Sequence, residues 1–139
     1  MTLSIRNQLP GTVTEVRPGE VMATVKIHLD GGQDLMAAIT LEAVEELGLA
    51  PDSRVRALVK STEISLATNR PEGLSIRNQI PGAITHLVLG GAMASVKVTV
   101  DGGELTAVIT KDAATGLGLF VGSAVVALIK STEVALETA

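Results

Sequence analysis

Ser4, Arg6 and Asn7 lie near the start of the chain, Thr40 in its first third, and Lys60 and Ser61 twenty residues further on; the same residue types return as Ser75, Arg77, Asn78, Thr110, Lys130 and Ser131. Nearly all of these side chains are hydrogen-bond donors, and Arg and Lys are cations at neutral pH. Such a set suits an anion. Arg presents a planar fork for two-point contact with an oxyanion, and Lys a compact charge. A Thr at a strand-to-helix junction adds outward-facing amides and the positive end of a helix dipole. The Lys-Ser-Thr turn offers further amides as a small nest.

The elements that must position these groups occur twice. Aligning 3–32 with 74–103 and 34–68 with 104–138 leaves one gap, at Gln33, and 35 of the 65 aligned positions are identical. Aliphatic positions drift among Val, Ile, Leu and Ala, as a core tolerates, whereas the polar positions above are kept. The sequence therefore divides into a domain over 1–68, a linker at 69–73 and a second domain over 74–139. Units this small bury little surface and gain from association. With no Cys, disulfides and thiolate metal sites are excluded. The 46% hydrophobic composition and positive mean hydropathy are high for two small domains and point to a subunit interface.

Each half reads as mainly β. Ser4–Gln8 is expected to form a strand stopped by Pro10-Gly11, followed by a strand over Thr12–Val16. Ala23–Leu29 alternates with period two, the mark of a half-buried strand. Asp30-Gly31-Gly32 is a hairpin turn and Leu35–Ile39 the returning strand. Thr40 is placed to cap a short helix over Leu41–Leu47 that Gly48 ends. Val55–Lys60 and Ile64–Leu66 complete the half, and the second half repeats the scheme with Thr110 as its cap. Five strands and one helix in so few residues predict two tandem OB-like Greek-key β-barrels. Gly11, Gly82, Gly31 and Gly102 read as turn glycines. Glu63 and Glu133 read as ion-pair or turn-stabilising residues, and His28 and His86, which the repeat does not share, as surface strand residues.

For any one of the polar residues, a solvated charge or a turn-satisfying hydroxyl is the simpler reading. For the whole set, kept twice through this divergence, an anion site is the better one. At this point the residues resemble a known family. Ser-x-Arg-Asn-Gln-x-x-Gly opening a unit of about 65 residues, with Lys-Ser-Thr-Glu near its end, is similar to the Mop domain of molbindins, and the resemblance covers essentially the whole chain. It implies a cytoplasmic protein that binds molybdate or tungstate for storage or homeostasis, with no covalent cofactor. It implies an oxyanion held by Ser4, Arg6, Thr40, Lys60 and Ser61, and a second by Ser75, Arg77, Thr110, Lys130 and Ser131; Asn7 and Asn78 match the motif too. Ala43 and Ala113 stand where related sequences often carry a helix Ser. The resemblance also implies a homotrimer with its sites between subunits.

Other functions fit poorly. OB barrels that bind single-stranded nucleic acid stack bases on aromatic rings, and this chain has one aromatic residue, Phe120, with a net charge of −4. No phosphate loop is present, and no apolar run approaches the ~20 residues of a membrane span. No nucleophile with a base can be assembled, so no catalysis is expected. The alternatives are a structural oligomerisation module, or a sensor for another oxyanion such as sulfate.

Overall fold

A computed structural model describes residues 3–138; Met1, Thr2 and Ala139, which the expected domain bounds include, lie outside the described residues. The elements of the first half are β1 (Asn7–Pro18), β2 (Met22–Leu29), β3 (Asp34–Thr40), α1 (Leu41–Leu47), β4 (Arg54–Val59), a 3-10 turn (Ser61–Glu63) and β5 (Ile64–Ala67). The second half gives β6 (Asn78–Leu89), β7 (Met93–Val100), β8 (Gly103–Thr110), α2 (Lys111–Gly116), β9 (Ala124–Ile129), a 3-10 turn (Ser131–Glu133) and β10 (Ala135–Thr138). Thr40 and Thr110 cap the helices as expected, each hydroxyl accepting from the amide three residues on at 3.1 Å. Gly48 ends α1 in the left-handed region. Among the described residues no helix is long and apolar enough to cross a membrane.

The strands form two curled five-stranded antiparallel sheets, in the orders β10-β4-β1-β2-β3 and β5-β9-β6-β7-β8. The last strand of each half thus belongs to the other half's sheet. Ile64–Leu66, expected to close its own barrel, pairs with β9, Ile64 opposite Ile129, while β10 pairs with β4, Ala135 opposite Leu58. Arg56 of β4 and Glu137 of β10 join their side chains across this exchange. The core follows the exchange. Ile64 and Val134 are both buried in a cluster that also holds Val13, Ile27, Leu35 and Val59 of the first half and Leu105, Ala107 and Ile129 of the second.

β1 runs unbroken through Pro10-Gly11, where two strands were expected. Pro10 lacks an N–H, yet its carbonyl accepts from Asp30 N at the hairpin turn, so its nitrogen also faces that turn and no ladder bond to β4 is lost. Gly11 is no turn residue. It is buried mid-strand, and a Cβ there would stand 2.7 Å from both His28 O and Ile27 Cγ2. Gly82 is crowded in the same way by Thr99 O and Val98. Gly11→Ala is therefore expected to lower stability by about 1–3 kcal/mol, the usual penalty for overpacking; urea unfolding followed by circular dichroism checks it, and an unchanged midpoint would show that β2 yields freely.

The hairpin turns of the two halves touch, with Gly31 against Asp101 O and Gly102 against Gly31. They are not equivalent. Arg54 pairs with Asp30 at 2.8 and 2.9 Å and, chiefly through that hydrogen bond, holds its carboxyl below the usual range. Ala124 stands in the place of Arg54 in the second half. His28, on the exposed side of β2, lies 2.9 Å from Asp34 Oδ1, a surface position as expected.

Candidate functional site

The Ser-x-Arg-Asn-Gln segment braces itself. Arg77 donates from Nη2 to Leu74 O at 2.9 Å and from Nε to Ser75 O at 3.4 Å; Arg6 does the same to Leu3 O and Ser4 O. Gln79 and Gln8 donate to the carbonyls three residues back, Ile76 O and Ile5 O. Two of the five guanidinium N–H groups are thereby engaged in holding the loop that carries the Ser, leaving three. The loop is shaped before any ligand arrives.

Asn7 and Asn78, grouped with the oxyanion ligands above, have another task. Both are buried. Asn7 donates to Val59 O and Thr106 O and accepts from Thr106 N at 2.7 Å, while Asn78 accepts from Met36 N and donates to Met36 O, both at 2.8 Å. Each amide thus reads the backbone of one residue in the opposite half, as a neighbouring strand would. Asn7, with both N–H groups and its oxygen engaged, offers an anion no free donor, and Asn78 commits its oxygen and one of its two N–H groups to Met36, so both act on backbone across the halves. The signal that found them was sound; the chemical reason was structural.

The Lys-Ser-Thr-Glu segments form tight turns in which Glu63 N and Glu133 N donate to Lys60 O and Lys130 O at 2.9 Å. Each turn packs on the opposite half, 61–63 against β8 and 131–133 against β3. In the second half, Ser75, Arg77, Lys130, Ser131 and Thr132 line one open cavity of about 270 Å³. Its walls hold two cations, three hydroxyls and no carboxylate. On the first-half side Lys60 lines a cavity of about 300 Å³ with Ile5, Ile39, Thr132 and both Glu63 and Glu133. The glutamates, expected in ion pairs or turn contacts, form no ion pair among the described residues. Their retention is instead matched by a place beside Lys60.

Ser61 is placed differently. Its Oγ is buried and has no hydrogen-bond partner among the described residues. A buried hydroxyl without a partner costs about 1–3 kcal/mol, and Ser61 lines neither of these cavities. Thr40 and Thr110 line neither cavity. They sit on the exposed rim, paired in the sheet with the exposed Met22 and Met93, and Leu41 N donates to the carbonyl of the exposed Val21. The chain brings Ser75, Arg77, Lys130 and Ser131 together in the second half, whereas Ser4, Arg6 and Ser61 do not line the Lys60 cavity, and the Thr caps stand apart from both. Among the described residues no group of three or more His, Asp or Glu could hold a metal ion.

Comparison with known proteins accords with this architecture. The TOBE domain model matches residues 3–66 and again 74–136. Among curated proteins, the molybdenum-pterin-binding protein MopB of Rhodobacter capsulatus is 41% identical over 96% of this chain and 50% of its own length. The molybdenum transport protein ModE of Azotobacter vinelandii is 38% identical over 98% of the chain and 51% of its own. Molybdenum-pterin-binding protein 2 of Clostridium pasteurianum is 39% identical over 48% of the chain and 97% of its own, matching a single half. This chain spans about half the length of the first two. A solved structure of the cytoplasmic molybdate-binding protein ModG, with molybdate bound, superimposes with a TM-score of 0.97 at 38% identity over the full length of both chains. With the domain matched twice across nearly all of its length, this chain belongs to the TOBE-domain family.

Proposed function

We propose that this chain is a cytoplasmic molybdate- and tungstate-binding protein that stores or buffers the oxyanion by reversible binding, without chemistry. The observation that carries the reading is the cavity lined by Ser75, Arg77, Lys130 and Ser131. Relatives named for molybdenum or molybdate support the choice of anion. The ligand set is Ser4, Arg6, Lys60 and Ser61 with Ser75, Arg77, Lys130 and Ser131, and Thr40 and Thr110 complete it from a neighbouring subunit. Support for a shared site comes from the caps' place on a rim of exposed Val21, Met22, Leu47, Met93 and Leu117, apolar surface that association would cover. A homotrimer is the assembly the molbindin resemblance gives. Sedimentation at micromolar concentration tests it, and a monomer would defeat the shared site.

Selectivity gives the sharper experiment. Molybdate is a proton-free dianion at neutral pH, so each of its oxygens accepts. Phosphate keeps an O–H that must donate, and burying it without an acceptor costs about 1–3 kcal/mol. The Lys130 cavity offers no carboxylate acceptor, whereas the Lys60 cavity has Glu63 and Glu133. Competition calorimetry should therefore rank molybdate and tungstate above sulfate, and phosphate last. With Lys60→Gln, which leaves only the Lys130 class, discrimination against phosphate should sharpen. Phosphate displacing molybdate at equal concentration from that variant would show that the cavity's hydroxyls accept the phosphate proton, and would overturn the selectivity argued here.

A further inference from the structure

The seam between the halves carries a further cavity that shares Arg77 with one described above. Because Asn78 clamps the backbone of Met36, Arg77 is brought beside β3 and β2 of the first half. There Lys26, Asp34, Leu35, Met36, Arg77 and Asn78 line a cavity of about 150 Å³. Arg77 thus stands in the wall between two cavities, this one and that of Ser75 and Lys130.

Lys26 and its repeat equivalent Lys97 are both retained, but their neighbours differ. Across the β7–β8 ladder Lys97 faces Thr106, donates to its Oγ1 at 3.2 Å and lies 3.8 Å from Glu104. Across the β2–β3 ladder Lys26 faces Met36, whose thioether is only a weak acceptor. The carboxylate on that rim, Asp34, is turned to His28 at 2.9 Å. Among the described residues the Lys26 ammonium therefore has no ion pair and no hydrogen bond, while Arg77 keeps three N–H groups beyond those that hold its loop. The one carboxylate in the wall of this cavity, Asp34, pairs with neither cation; Lys26 and Arg77 repel each other, and an anion between them relieves the repulsion.

We infer that Lys26 and Arg77 form a second oxyanion subsite at the seam, open on this side and closed at the pseudo-symmetric side where Thr106 and Glu104 engage Lys97. It takes a tetrahedral dianion of the molybdate, tungstate or sulfate class, and it shares that ligand class and Arg77 with the function proposed above, whereas Lys26 and Met36 belong to this cavity alone. With two cations and Asp34 nearby, it binds more weakly than the Lys130 cavity.

Crystals saturated with tungstate, recorded at a tungsten absorption edge, locate every bound anion directly. An anomalous peak between Lys26 and Arg77 is expected in the unaltered protein. It should vanish in Lys26→Met and in Met36→Thr, which supplies at this seam the hydroxyl that holds Lys97 at the other. Equilibrium dialysis with tungstate should show the same loss, one equivalent per chain. Both substitutions lie on the outer face of the sheet, and unchanged circular dichroism with retained peaks at Lys60 and Lys130 would show that the fold is intact. Peaks at Lys60 and Lys130 with none at Lys26 would overturn the inference alone. A peak at Lys26 without the other two would support it while overturning the ligand set proposed above.

Discussion

Lys130→Gln is expected to weaken molybdate binding at one class of site by roughly tenfold to a hundredfold and to leave the Lys60 class in place. A hydrogen bond from a charged group is worth about 1.5–3 kcal/mol, and each 1.4 kcal/mol is a factor of ten in affinity. Lys130 is exposed in the unliganded chain, so the effect should fall toward the lower end until a neighbouring subunit excludes water from the cavity. The double change Lys60→Gln with Lys130→Gln should abolish binding at micromolar molybdate. Titration calorimetry resolves the two classes, with sedimentation to show that assembly is intact. Undiminished affinity in the double variant would mean that the Lys-Ser turns are not the anion contact.

The largest effect on stability is expected from Asn7→Leu. Leucine has a similar volume but leaves Thr106 N, Thr106 O and Val59 O without the partner that Asn7 supplies. Each buried group so orphaned costs about 1–3 kcal/mol, and small rearrangements or water will recover part of it. A net loss of about 3 kcal/mol or more is expected in urea unfolding followed by far-ultraviolet circular dichroism, with Asn78→Leu somewhat milder because it orphans two groups at Met36. The exchanged strands β5 and β10 still tie the halves together, so both variants should unfold in one transition. A loss below 0.5 kcal/mol, within the range of ordinary surface substitutions, would show that the amides are not the seam's principal polar link.

Much of this molecule is legible in its residues. The period-two pattern of Ala23–Leu29, the Asp-Gly-Gly turns, the Thr caps and the Gly48 stop are local signals, each decided by a few neighbouring side chains, and they stand where they were expected. Two tandem β units follow from the repeat itself. The retained Arg, Lys and Ser residues are the ones proposed here to meet the anion, on the ground that residues answering to chemistry resist the drift that packing allows.

Tertiary structure decided the rest, and for a definite reason. Ile64-Ser65-Leu66 and Val134-Ala135-Leu136 carry the same apolar pattern, so either strand fits the slot beside β4 or β9. A repeat is degenerate about which copy pairs with which, and only the folded chain chooses the exchange. The same holds for Asn7 and Asn78. A polar residue kept in both halves looks alike in sequence whether it meets a ligand or a backbone, and the distinction lies in burial and in partners 99 and 42 residues away. At Gly11 and Gly82 a Pro-Gly pair is a local turn signal, whereas crowding from β2 and β7 is a non-local one. The sequence by itself determined the units, their elements and the cationic character of the site. The exchange of strands, the seam and the separation of the Thr caps from the Lys cavities depend on contacts between distant residues, which no local pattern encodes.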